Sequence, residues 1–221
     1  MQIEIVKKDV KQINIRVKPN CEVILTAPPK TTDAHIEYVI KKRAEWIDKK
    51  IAYYKEHQPQ AAKEYVSGEN FRYLGRNYRL KVIECSDLEG VKLQRGYLQV
   101  FVRNTANLER KKRLVKAWYL AKAEIHFLKA VEKYKPVVKK EIANIRIREM
   151  KTRWGSCNPA KGYMNLNSEL IKKSTECIEY VVFHELAHLV HADHSRKFYN
   201  YLSLFMPDWK RRKMRLEKIS L

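Results

Sequence analysis

No run of apolar residues in this chain approaches the ~20 needed to cross a bilayer as a helix, so no membrane partner is expected. The amino terminus, MQIEIVKKDVKQ, lacks the apolar core of a secretory signal, and the expected location is the cytoplasm. Cysteine is sparse. Cys21, Cys85, Cys157 and Cys177 stand far apart and none forms a C-x-x-C pair, which excludes a disulfide framework and a structural zinc knuckle. Repeats and low-complexity segments are missing, and there is no glycine-rich phosphate loop of the P-loop type. Acidic residues are few: 25 Asp and Glu face 46 Lys and Arg, a formal charge of +21. That balance speaks to partners and solubility, not to fold. It suits nucleic acid, a nucleotide or an acidic protein, and equally lysine-rich helix faces in water.

What is present is a globular composition: 221 residues, 45% apolar, with 13 Tyr and 4 Trp. The length allows one large domain or two small ones. The first thirty residues alternate, with Ile13, Ile15 and Val17 on one face and Asn14 and Arg16 on the other. KPNC then turns the chain into EVILTAP, a β-hairpin ended by Pro28 and Pro29. From Asp33 to His57 the period becomes helical, with Ile36, Ile40, Ala44, Ile47, Ile51 and Tyr54 on one face and Pro59 as the stop. Gly68 and Gly75 punctuate short strands in SGENFRYLGRNYRLKVIE, and VKLQRGYLQVFV reads as a hairpin turning at Arg95-Gly96. Composition shifts near Asn107. A long basic helix is predicted up to Pro136, then strand NIRIREM, turn TRWGSCNPAKG and strand YMNLN. Helices follow over about Cys177–His191 and Ser195–Phe205, and PDWKRRKMRLEKISL reads as a basic helix. The expected fold is α+β, with a mostly-β amino-terminal part over 1–105 carrying one amphipathic helix, and a second domain over 106–221.

Within VVFHELAHLVHADHSRKFYNYL, four histidines and one glutamate fall between His184 and His194. His184, Glu185 and His188 spell H-E-x-x-H. Residues four apart on a helix lie about 6 Å apart along its axis on one face. Two such imidazoles can share a Zn²⁺, with Glu185 placed to act on a water beside it. On a helical wheel Ile178, Val182, Leu186 and Leu189 form one stripe, and Val181, His184, His188 and His191 another, roughly opposite. A catalytic zinc takes three protein ligands. His194, six residues past His188, has the spacing of the longer H-E-x-x-H-x-x-G-x-x-H pattern. The glycine position of that pattern is His191 here, so Asp193 is the candidate turning residue. His191 and a distant carboxylate are the competitors. SRKFYNYLSLF contains no Asp or Glu, which weakens a scheme with a ligand from the following helix.

RWGSC at 153–157, MNLNSEL, YVVFHELAHLVHADHSRKFY and MPDW at 206–209 together resemble the YgjP-like metallopeptidase domain. So do VKPNCEVILTAP, AEWIDKKI and GENFRYLGRNYRLKV. SprT-type and WLM-type proteases look like more distant relatives. The resemblance implies a zincin-like carboxy-terminal domain with an active-site helix beneath a small mixed sheet whose edge strand borders the cleft. It implies His184, His188 and His194 as ligands of one Zn²⁺ per chain, Glu185 as catalytic base, and a peptide or protein substrate. Zinc suits three imidazoles, although Mn²⁺, Co²⁺ and Ni²⁺ also bind them.

Arg153, Trp154 and His191 are candidate substrate-binding residues. Trp154 can equally fill a core corner, with Gly155 making the turn. Arg153, Tyr163, His191 and Tyr201 are the candidate donors to a developing oxyanion. Two other readings use the basic charge. Residues 109–153 carry 15 basic against 5 acidic side chains, which suits a nucleotide whose phosphoanhydride is cleaved at the same metal. The WKRRKMR tail suits a nucleic-acid-binding module. A nucleic acid held by these charges loses affinity steeply between about 50 and 200 mM salt, so a binding titration across that range is expected to show a linear fall of log K with log salt.

Overall fold

The computed structural model describes residues 3–18, 20–56 and 63–217. The expected stop at Pro59 and the last residues of the tail, 218–221, lie outside them. By backbone contacts the chain separates into two units, Met1–Lys63 and Glu64–Leu221.

In the first unit the alternating segment forms the expected hairpin. Strand β2 (Asn14–Val17) pairs antiparallel with β3 (Val23–Ala27), and β1 (Ile3–Lys7) adds parallel to β3 on its other side. Helix α1 (Asp33–Glu56) follows. Its predicted face buries Ile36 and Ile47 fully, against Leu25 and Ala27 at one end and Val17 and Val23 at the other. Helical period meeting strand alternation is what closes this small core.

The second unit begins with a four-stranded sheet. Strands β4 (Asn70–Tyr73) and β5 (Arg76–Glu84) form one hairpin, β6 (Gly90–Gln94) and β7 (Tyr97–Val102) another, and β5 pairs parallel with β7. Both hairpins turn on two residues of positive φ, Leu74-Gly75 and Arg95-Gly96, the geometry that matches strand twist. Helix α2 (Leu108–Val138) is capped by Asn107, whose side chain accepts from the Arg110 N–H. The strands after Glu64 group with α2 and not with the first three, so the division falls at Lys63, while the composition shift near Asn107 marks the start of α2. The helix does not stop before Pro136 as its sequence suggests. Pro136 falls in the last turn, where its missing N–H leaves a single carbonyl without its helical partner. Lys139 closes the helix at φ 51° with its N–H on the Lys135 carbonyl. Val115, Tyr119, Ala123, Phe127, Val131, Tyr134 and Val138 form one buried stripe along its length.

A second, three-stranded sheet follows: β8 (Asn144–Arg148) parallel to β10 (Tyr163–Asn167), and β9 (Gly155–Asn158) antiparallel to β10, in the order β8-β10-β9. The segment expected to be a turn from Thr152 to Gly162 thus contains a strand, because GSCN pairs with YMNL in register. A 3-10 turn (Ser168–Lys172) leads to α3 (Thr175–Ala187), α4 (Arg196–Phe205) and α5 (Trp209–Glu217). The Leu74-Gly75 turn packs on this entry: its amides donate to the Ile171 and Lys172 carbonyls. A Cβ on Gly75 would come within 3.1 Å of Ser174.

The acidic start of α3 is tied to the basic α5. Glu179 accepts from Lys133 at 2.7 Å and from Arg212 at 2.8 Å. Arg211 and Arg215 reach Glu176, and Arg211 and Arg212 also hold Asp208. The arginines of the WKRRKMR tail are therefore engaged with the protein's own carboxylates. Burial raises the proton affinity of Glu179, but hydrogen bonds from Lys133 and Arg212 outweigh it and hold the carboxyl below its ordinary value. A lowered folded-state pKa means that the pair stabilises fully above the unfolded value of about 4.3 and fades as pH falls through the folded one. The expected outcome for Glu179→Gln is a lower melting temperature at about pH 6–7. The gap to wild type should close as pH falls toward about 3, followed by thermal unfolding across a pH series.

Candidate metal centre

Helix α3 is apolar almost all round, and such helices are buried on all sides. Cys177, Ile178, Tyr180, Val181, Val182, Phe183, Leu186 and Ala187 are all enclosed. Phe183 stacks on Tyr134 of α2 with centroids 4.8 Å apart. His184 and Glu185 occupy the last turn. His188 caps the helix, still in the right-handed region at φ −64°, ψ −23°. The helix is thus shorter than its periodicity suggests, because it tightens. Leu189 and Val190 donate three residues back, to Leu186 and Ala187, at 3.0 Å each. The chain then leaves the helical path and re-enters one at α4. Asp193 is not in the left-handed region; the positive-φ residues lie elsewhere. The reversal is made by the turn at 188–190 and the bends at 192–193 and 195.

That reversal brings His194 back over the helix end. His194 Nε2 lies 3.0 Å from His184 Nε2. The ligand-type atoms of His184, His188 and His194 all lie within 4.8 Å of one another. The three rings pack with centroids 4.7–5.0 Å apart. Phe198, fully buried on the first turns of α4, sits 4.7–5.0 Å from each of them and forms their common floor. Beyond His194 an aromatic stack continues through Tyr199 to Trp209 of the MPDW motif.

The donor set fits a transition-metal ion. Two ligands of a tetrahedral zinc at 2.0–2.1 Å stand about 3.3 Å apart, close to the observed Nε2–Nε2 separation. Ligand imidazoles must be neutral. Burial, and next the neighbouring His188 and His194, push His184 down to about 3, and burial lowers His188 as well. His188 Nδ1 lies 3.3 Å from the His191 carbonyl, the outer contact that orients a ligand ring. His184 Nδ1 is buried without a hydrogen-bond partner among the described residues. Its ring is held by packing against Phe198 and Tyr180 instead.

Glu185 is buried beside β9, and burial raises its carboxyl to about 8 against the opposing pull of Arg153. Cys157 on β9 is half-buried, its thiol pushed up to about 11 by burial and by Glu185, which leaves it protonated at neutral pH.

A family model for the YgjP-like metallopeptidase domain matches residues 11–219. The chain belongs to the YgjP-like metallopeptidase family. Family membership makes it a metal-dependent hydrolase. Among solved structures, the chain is similar to the metallopeptidase zymogen jannalysin of Methanocaldococcus jannaschii. The identity is 21%, the match covers 42% of this chain and 94% of that one, and the TM-score is 0.38. Abylysin of Pyrococcus abyssi, also described as a metallopeptidase zymogen, matches at 23% identity, over 41% and 90% of the two chains, with a TM-score of 0.37. A search of curated proteins finds no match.

In this YgjP-like chain the remaining motif residues divide by contact. Trp154 lies against the core with the Lys173 ammonium 4.7 Å over its ring. Arg153 is exposed, and its carbonyl accepts from Asn167 at 2.9 Å. Gly155 opens strand β9 instead of making a turn. His191 offers its carbonyl to His188 and packs its ring edge-on to Tyr201. The Tyr201 hydroxyl donates to the Val137 carbonyl at 3.1 Å, so it is engaged at the end of α2 and not free as an oxyanion donor. Sequence reasoning missed Asn167. Fully buried, it binds the Met150 and Arg153 carbonyls through Nδ2 and the Met150 and Glu169 amides through Oδ1, clamping the approach to β9. It also missed Phe198, whose signal is the i, i+4 spacing with Leu202, the two fully buried residues of α4.

Phe198→Ala is expected to lower stability by about 3–5 kcal/mol and to weaken metal retention, since it removes the surface on which all three rings rest. Phe198→Leu should recover most of both. Denaturant unfolding and competition with a chelator measure the two effects.

Proposed function

We propose that the chain is a zinc-dependent peptidase in which His184, His188 and His194 hold one zinc ion and Glu185 serves as general base. The observation that carries this reading is the closure of three imidazoles into one cluster, with a buried carboxyl next to the first of them. When bound, zinc acidifies a water towards a pKa of ~7 and polarises a carbonyl. The protein's own part is then positional and protic. With the dication in place the Glu185 carboxyl, raised by burial in the metal-free protein, would be ionised; it would then accept the proton of the attacking water and pass it to the departing amine. Phe198 and the enclosed flank of α3 fix the three rings and keep water from their inner side. Strand β9 lies at the edge of its sheet, so an extended peptide backbone can pair along its free side, the mode by which strands are added to sheets. Arg153, at the entrance to that strand, is suited to an acidic group or carbonyl of the substrate.

The family match supports peptide over phosphoanhydride chemistry. The arginines of α5 are occupied within the protein, which removes part of the charge that argued for a nucleic-acid module.

Purified protein is expected to carry close to one zinc per chain, and His194→Ala to lose most of it, read by elemental analysis. Glu185→Gln should keep the metal and lose peptide turnover by about 10²–10⁴-fold. A nucleoside triphosphate assayed beside an unstructured protein substrate separates the two chemistries. Glutamate-dependent release of phosphate with no peptide cleavage would replace the peptidase reading.

A further inference from the structure

We infer that Gly155 is a positioning residue for Glu185: the side chain it lacks is the space that the arm of the glutamate fills. The inference rests on the reading of Glu185 as general base. A Cβ placed on Gly155 would lie 2.6 Å from Cγ, 2.6 Å from Oε1 and 2.8 Å from Cδ of Glu185. Non-bonded carbons settle at about 3.5–4.0 Å, so the overlap is severe. It also involves three linked atoms. Turning the carboxyl about its last bond leaves Cγ and Cδ in place, so only a swing of the whole arm relieves it.

Nothing else at this position calls for glycine. Gly155 is absent from the positive-φ residues, it lies within a strand and not in a turn, and it pairs in register with Leu166. As the first paired residue of β9, with no positive φ, the position accommodates any L side chain as far as the backbone is concerned. Cys157, two residues on and therefore on the same face, does carry one and is close enough for the Glu185 charge to act on its thiol. The gap at 155 is thus a notch in an otherwise filled face, opposite the last turn of α3. Because the obstructing atoms belong to a flexible arm, the protein can accept a methyl group there and still fold. The carboxyl then leaves its place against the start of β9.

Gly155→Ala is expected to fold, to bind zinc as wild type does, and to keep KM within about twofold while kcat falls about 100-fold. In a Glu185→Ala background the same substitution should cost no further activity. An activity-free readout uses the metal-free protein. Gly155→Ala should lower the melting temperature when Glu185 is present and leave it unchanged or raise it when residue 185 is Ala, because the methyl then fills vacated space. Should the single variant fail to fold, the Gly155→Ala/Glu185→Ala double variant is expected to fold. Additive melting losses, or a double variant that also fails to fold, overturn the inference. So does a Gly155→Ala enzyme with wild-type kcat while Glu185→Gln is inactive, an outcome that leaves the glutamate-base reading standing. A fully active Glu185→Gln enzyme removes that reading and this inference together.

Discussion

The arrangement of the centre depends on where one buried helix ends. Helix α3 is buried over most of its surface until Ala187, and there it tightens and stops. Had it continued, His191 would have lain about 10 Å along the axis from His184, and His194 further still. The Leu189 and Val190 amides turn back three residues to Leu186 and Ala187, the His191 amide makes the last bond to Ala187, and the chain is then released to fold back. The apolar environment that holds the helix also keeps His184 and His188 neutral, a condition that solvent-exposed imidazoles in a chain of charge +21 would meet in a different way.

Much of this was legible in the residue order. The H-E-x-x-H spacing places two rings on one face, and the interval to His194 picks out the third member of the cluster. The amino-terminal hairpin and α1 follow from a change of hydrophobic period. What was not legible depends on contacts between distant segments. The strand hidden in GSCN has no alternation to announce it, since a four-residue edge strand is defined by its partner YMNL. Pro136 looked like a helix stop, yet its cost falls on the final turn, where few bonds remain to lose. Asn167 resembles an ordinary cap and does cap the 3-10 turn. Its clamp on the Met150 and Arg153 carbonyls exists only once the loop is folded over it. Asp193 suits a turn by its tolerance of left-handed backbone, but this helix end makes its turn without a left-handed residue.

The charge distribution is also more ordered than the composition suggests. The positive excess does not belong wholly to the surface and its partners: Arg211, Arg212 and Arg215 are set against Glu176, Glu179 and Asp208. Basic residues on α5 meet acidic ones on the first turns of α3, where carboxylates are also favoured by the helix dipole. The pairing fixes the angle at which the closing helix lies on the helix that carries His184 and Glu185.

Trp209, at the start of that closing helix, stacks on Tyr199, and Tyr199 stacks on His194. The most exposed of the three imidazoles is therefore braced from behind by residues that follow it in the chain, not by those that precede it. A cut that removed α5 would therefore leave all three ligand residues in the chain and still deprive the outermost ring of the wall it leans on.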